Sequence, residues 1–205
     1  MKSLSSFVLS LFLMLVVIGG ADAAPSTNQL KSRVKQLGQS AANGNLEAVD
    51  RLAEIAVDLR KKPGSDSASA LRANRELLEP AFDAMAKAVG RGNAKAFDAL
   101  TYALGKSYIQ GIAASSLGEL AANGHKAALA TLLDYKANGI LLSTATISLQ
   151  RAAEKNIPEA VEFMIDIIES GKSKALWRLA ANGLRSAAAK GNQRAKAAIK
   201  KYEEG

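Results

Sequence analysis

The chain has 205 residues, of which 48% are hydrophobic and only 5% aromatic, and its 27 Lys and Arg against 19 Asp and Glu give a formal net charge of +8. No cysteine and a single histidine exclude disulfides, thiol and iron–sulfur chemistry and the usual zinc ligand sets. Alanine supplies much of the apolar fraction, which favours closely packed helices over a β-sandwich, where β-branched and aromatic residues would dominate.

Residues 1–23 read as a signal peptide. Lys2 is a minimal positive n-region, Phe7 to Ile18 is an apolar run, and Ala21-Asp22-Ala23 places small residues where a signal peptidase reads them. The run falls short of the roughly 20 apolar residues needed to span a bilayer. Cleavage after Ala23 is expected, with the mature protein periplasmic or secreted, and no Cys follows the apolar run to mark a lipoprotein.

Residues 24–205 form one helical-repeat domain. Leu30, Val34, Leu37 and Ala41 step at helical spacing into Asn43-Gly44-Asn45, and Leu46, Val49, Leu52, Ala56 and Leu59 continue on a partner helix. Proline, glycine and serines at 61–70 predict an inserted loop. Leu71, Leu78, Phe82 and Met85 then line a helix that Pro80 either kinks or opens. Further stripes follow: Phe97, Leu100 and Leu104; Ile109, Ala113, Leu117 and Leu120; Leu129, Leu132 and Leu133, closed by Ala137-Asn138-Gly139. Leu142, Ile147 and Leu149 lead to Asn156. Val161, Met164, Ile165 and Ile168 make the next helix, closed by Gly171. Trp177, Ala181, Leu184 and Ala188, then Ala195, Ala198, Ile199 and Tyr202, line the last two.

These stripes are copies of one unit, anchored at Gly44, Gly92, Gly124, Asn156 and Gly191 at intervals of 48, 32, 32 and 35 residues. Seven residues before each anchor stand Leu37, Met85, Leu117, Leu149 and Leu184. Four after it stand Ala48, Ala96, Ala128, Ala160 and Ala195; eight after it stand Leu52, Leu100, Leu132, Met164 and Ile199. A glycine, or its usual substitute asparagine, suits a chain leaving a helix through a positive-φ residue. The Asn45, Asn93 and Asn192 that follow can cap the next helix, and His125 stands in the same place. Repeats of this period cannot bury their faces alone and must stack.

The helix, Ala-Ala-x-Gly-Asn turn and second helix resemble the HEAT and armadillo-like α-solenoids over nearly all of residues 27–203. The resemblance implies an all-α superhelix of about five antiparallel helix pairs, an interaction scaffold with no catalytic motif. Ala121-Ala122-Asn123-Gly124-His125 through Leu132-Leu133 also looks like an ankyrin repeat. Against that, no copy has the Thr-Pro-Leu-His opening, and apolar residues fourteen before the anchors (Leu30, Leu78, Leu142 and Trp177, with Gln110 departing) require a first helix of about four turns. In HEAT-like arrays second helices usually line the concave side, which makes Arg51, Lys95, Lys126 and Glu159 the expected groove residues.

Charge is uneven along the chain. Between Ser170 and Tyr202 there is no acidic residue and there are nine basic ones. Lys174, Arg178 and Arg185 share a helix face, with Lys190, Arg194 and Lys201 beyond them, so these six are the candidate site for an anionic envelope polymer or anionic membrane surface. A polar cap on the terminal repeat accounts for the same residues. Only Trp177 accompanies them as a stacking aromatic, which argues against specific nucleic-acid recognition. Ile168-Glu169-Ser170-Gly171 looks like the catalytic Glu-Ser of lytic transglycosylases, but the Gly-Leu-Met-Gln element of that family is missing. No nucleophile, phosphate-loop or metal motif occurs. The expectation is an exported, non-enzymatic scaffold for a protein or peptide partner, without small-molecule cofactor. Polyanion binding is the alternative, and an all-α glycan-cleaving enzyme comes a distant second.

Overall fold

A computed structural model of the chain describes residues 25–62, 64–170 and 173–204. The expected signal peptide and Gly171 lie outside the described residues. Every regular element among the described residues is an α-helix, and there are ten. They are α1 (Thr27–Ala42), α2 (Leu46–Lys61), α3 (Ala68–Gly90), α4 (Ala94–Leu104), α5 (Gln110–Ala122), α6 (Lys126–Leu133), α7 (Leu142–Glu154), α8 (Pro158–Glu169), α9 (Lys174–Ala189) and α10 (Gln193–Glu204). None is long and apolar enough to cross a membrane.

Each anchor sits between the helices of a pair, and all five have positive φ, from 66° at Asn156 to 92° at Gly44 and Gly191. The backbone closes the same way each time. At the third turn the Gly124 N–H donates to Ala121 O (2.9 Å) and the His125 N–H to Leu120 O (2.9 Å). Gly44 and Asn45, Gly92 and Asn93, Asn156 and Ile157, and Gly191 and Asn192 repeat that pair of bonds. This is the Schellman arrangement, which satisfies carbonyls that a helix end otherwise leaves open. The next residue then starts the following helix. Asn45, Asn93 and Asn192 accept from the backbone N–H three residues on, and His125 Nδ1 accepts from the Ala128 N–H at 3.1 Å. Ile157 has no capping oxygen; Pro158 follows it at the first helical position, where no N–H is needed.

Burial follows the anchor register. The alanines four after the anchor and the large residues eight after it are all buried, as are Met85, Leu117, Leu149 and Leu184 seven before it. At roughly 25 cal/mol per Å2 of apolar surface, each large residue contributes about 1.5–3 kcal/mol. One apolar cluster runs without a break from Val34 in α1 to Ile199 in α10.

The first helices of the pairs pack in succession: α1 against α3, α3 against α5, α5 against α7 and α7 against α9. Contacts between successive second helices are sparse. Glycine explains part of the closeness. A Cβ on Gly118 in α5 would stand 2.1 Å from the Ser148 carbonyl oxygen of α7, and one on Gly38 in α1 would stand 2.3 Å from Ala81 Cα of α3.

Three local expectations change. The 61–70 interval is only partly loop, because Ser67 caps α3 (its Oγ accepts from the Ala70 N–H at 3.2 Å) and the helix begins at Ala68. Pro80 falls inside the 23-residue α3 with its ring exposed, and α3 neither opens nor ends there. The helix expected to run to Ala137-Asn138-Gly139 stops at Leu133; the turn beyond is held by Asn138 Nδ2, which donates to Thr131 O and Asp134 O.

Candidate functional site

The close first-helix row leaves a groove on its surface. It runs from α2 and α3 across α5 to α7 and encloses about 350 Å3, within the range of small-ligand and short-peptide pockets. Its apolar wall is partly open to solvent: Ile147 is 57% exposed, Tyr108 51% and Leu71 39%. Leu78 and Ile112 form the buried floor beneath them. Gly111, at the start of α5, has no atom within 4 Å of where a Cβ would stand, so the groove there is open space.

Polar groups are gathered at one end. Arg75 reaches from α3, with Nε 2.7 Å from Glu79 Oε1 and an Nη donating to Ser115 Oγ at 3.4 Å. Arg60, at the end of α2, lies 6.0 Å from the Tyr108 ring centroid and pairs with Asp66 at 3.5 Å. Asn74 also lines the groove, and its Nδ2 is shielded from solvent and donates to no acceptor. The far end, on α7, offers Thr144, Ile147 and Ser148 and carries no charge.

The residues expected to line a groove, Arg51, Lys95, Lys126 and Glu159, belong to α2, α4, α6 and α8, and none of them borders this one. The sequence reading followed the usual HEAT arrangement. In this chain the first helices press together and their surface carries the cleft. A signal for it was present. Nine residues before the anchors the copies read Lys35, Asp83, Ser115, Ile147 and Asn182, so Ile147 is an apolar residue in an otherwise polar register. A helical stripe count placed it among core residues, although it faces solvent.

Comparison of the chain with protein-family models, with curated proteins and with solved structures finds no match.

The basic C-terminal candidates are spread over α9, α10 and the turn between them. Arg185 pairs with Glu203 at 3.1 Å, Arg194 with Glu162 at 2.8 Å and Lys201 with Glu169 at 3.7 Å, and Lys190 donates to the Glu154 carbonyl. Arg178 is exposed on α9, and Lys174 opens that helix. A stretch without acids in sequence thus meets carboxylates from α8 and from Glu203 in space. Glu169 ends α8 as a partner of Lys201. Trp177 packs edge-on to Tyr202, ring centroids 5.8 Å apart, and adjoins the core. Among the described residues, no three His, Asp or Glu side chains stand close enough together to hold a metal ion.

Proposed function

We propose that this protein is an exported, non-enzymatic α-solenoid of the HEAT and armadillo-like kind that holds a peptide segment of a partner protein in the groove over α3, α5 and α7. The observation that carries the reading is the row of solvent-exposed apolar side chains, Leu71, Tyr108 and Ile147, along a cleft with polar groups gathered at one end. Ligand sites combine such apolar walls with a few convergent polar groups. The repetition of turn geometry and burial in all five copies supports a solenoid. Tighter packing among first helices than among second ones favours a stack curved toward the first-helix side, which makes the cleft part of the inner surface. Export rests on the N-terminal residues, and amino-terminal sequencing of the protein recovered from outside the cytoplasm should begin at Ala24.

A degenerate heptapeptide library passed over the immobilised protein tests the binding reading. Peptides are expected to be retained by the wild-type protein and lost from Ile147→Lys, which puts a charge on an already exposed wall and leaves the fold intact. Equal retention by the two proteins, or none by either, overturns it.

A further inference from the structure

The groove is polarised, and its polarity says what kind of segment it takes. Both of its guanidiniums, Arg60 and Arg75, stand at the α2–α3 end, and no carboxylate is among the residues lining it. Asp66 pairs with Arg60, while Arg75 donates to Glu79 and to Ser115 Oγ; a guanidinium carries five N–H donors, so each arginine keeps further N–H groups for a ligand. The opposite end is apolar and hydroxylic, with Ile147 and Thr144.

Because the four charged groups sum to zero, a diffuse polyanion gains little here. One planar acceptor at close range gains most, and a carboxylate facing the two guanidiniums is that acceptor. We infer that the occupant is the carboxy-terminal end of a partner chain, its free α-carboxylate held by Arg60 and Arg75 and an apolar side chain near that terminus lying against Tyr108 and Ile147. A free terminus suits the site better than an internal acidic residue. An internal residue would bring chain on both sides of its carboxylate beside arginines that already carry Asp66 and Glu79 as partners.

This inference rests on the peptide-binding reading above, and the test separates the two. The same heptapeptide library is offered in two pools, one with free carboxy termini and one amidated, to the wild-type protein and to Arg75→Gln, with Arg60→Gln as a second variant. Both arginines are solvent-exposed, so the variants are expected to fold, and their helical circular dichroism verifies it. Retention is expected from the free-carboxyl pool only, weakened at least about tenfold by either variant, and reduced between 50 and 300 mM salt, because both arginines are partly exposed and their pairing with a carboxylate is screened. If both pools are retained equally and both are lost from Ile147→Lys, the groove binds peptides by their internal residues; the function stands and the terminal carboxylate falls. If neither pool is retained, both readings fall.

Discussion

Among the first helices, spacing is set by backbone meeting backbone, as where Gly118 of α5 lies against Ser148 of α7. Second helices reach their neighbours through long polar side chains: Lys106, just after α4, to Asp50 of α2 at 2.7 Å, and Arg194 of α10 to Glu162 of α8 at 2.8 Å. One row is therefore a close-packed solid, sensitive to a single methyl group. The other is a set of partly solvated struts whose members can be exchanged at small cost. Stability of this chain should concentrate in the first row, and the groove lies over that same row.

The sharpest way to break that contrast is to add the same methyl group at two places in one helix. Gly118→Ala drives a Cβ into the Ser148 carbonyl and is expected to destabilise by about 2–3 kcal/mol, the cost of overpacking, lowering the melting temperature by roughly 5–10 °C. Gly111→Ala, seven residues earlier, enters open space and is expected to stabilise by about 0.5–1 kcal/mol through helix propensity and chain entropy. Thermal unfolding of the pair decides. Equal melting temperatures would mean that α5 and α7 move apart freely, and the close row would lose its meaning.

Next in size is the cap at His125. His125→Ala removes the acceptor for the Ala128 N–H and also the ring stacked at 5.3 Å on Phe97, which ties the second and third turns. A loss of about 1 kcal/mol is expected, most of it recovered by His125→Asn, the residue that three other copies use. Chemical denaturation of both variants measures it. If the asparagine variant is as unstable as the alanine one, the stacking and not the cap is what the histidine supplies.

Much of this framework was legible in the residues. A glycine or asparagine that must leave a helix, a polar cap after it and a small residue four on are each dictated by local backbone chemistry, so the anchors predict all five turns. What could not be read depends on neighbours distant in sequence. Gly38 and Gly118 are mid-helix glycines whose helix-propensity cost signals a packing reason, yet nothing in sequence names Ala81 or Ser148 as the partner. The stretch before Tyr202 is free of acids in sequence, and the carboxylates that pair with Arg194 and Lys201, Glu162 and Glu169, are remote in the chain but adjacent in space. Which row of helices carries the cleft follows from relative spacing, which periodicity does not contain.

The C-terminal struts give a smaller test. With Arg185 and Arg194 already paired to carboxylates, the triple variant Arg178→Gln, Arg185→Gln, Arg194→Gln is expected to elute from a cation-exchange resin only as much earlier as three lost charges require. A collapse of retention beyond that of three exposed lysines replaced elsewhere would instead show a dedicated polyanion site.

The smallest effect is the most specific, at the strut between α2 and α4. Lys106 Nζ, bonded to the Asp50 carboxylate, holds that carboxyl below its ordinary value, with the Tyr102 hydroxyl adding a weaker hydrogen bond at 3.2 Å. Asp50 in turn raises the Lys106 ammonium above its ordinary value, again with help from Tyr102. A carboxyl with a depressed folded value contributes stability that is present above its unfolded pKa, near 4, and lost as pH falls through the folded one. The raised lysine contributes below its unfolded value, near 10.4, and loses that contribution as pH rises through the folded one. The strut therefore works between those limits. Because Asp50 is 42% exposed, Asp50→Asn should lower the melting temperature at pH 7 by no more than about 2 °C. That gap should narrow as pH falls and the Asp50 carboxyl takes up its proton, and in 1 M salt, which screens the pair. A gap unchanged both at low pH and in 1 M salt would mean the carboxylate acts by shape instead of charge, and the second row would then be packed rather than strutted.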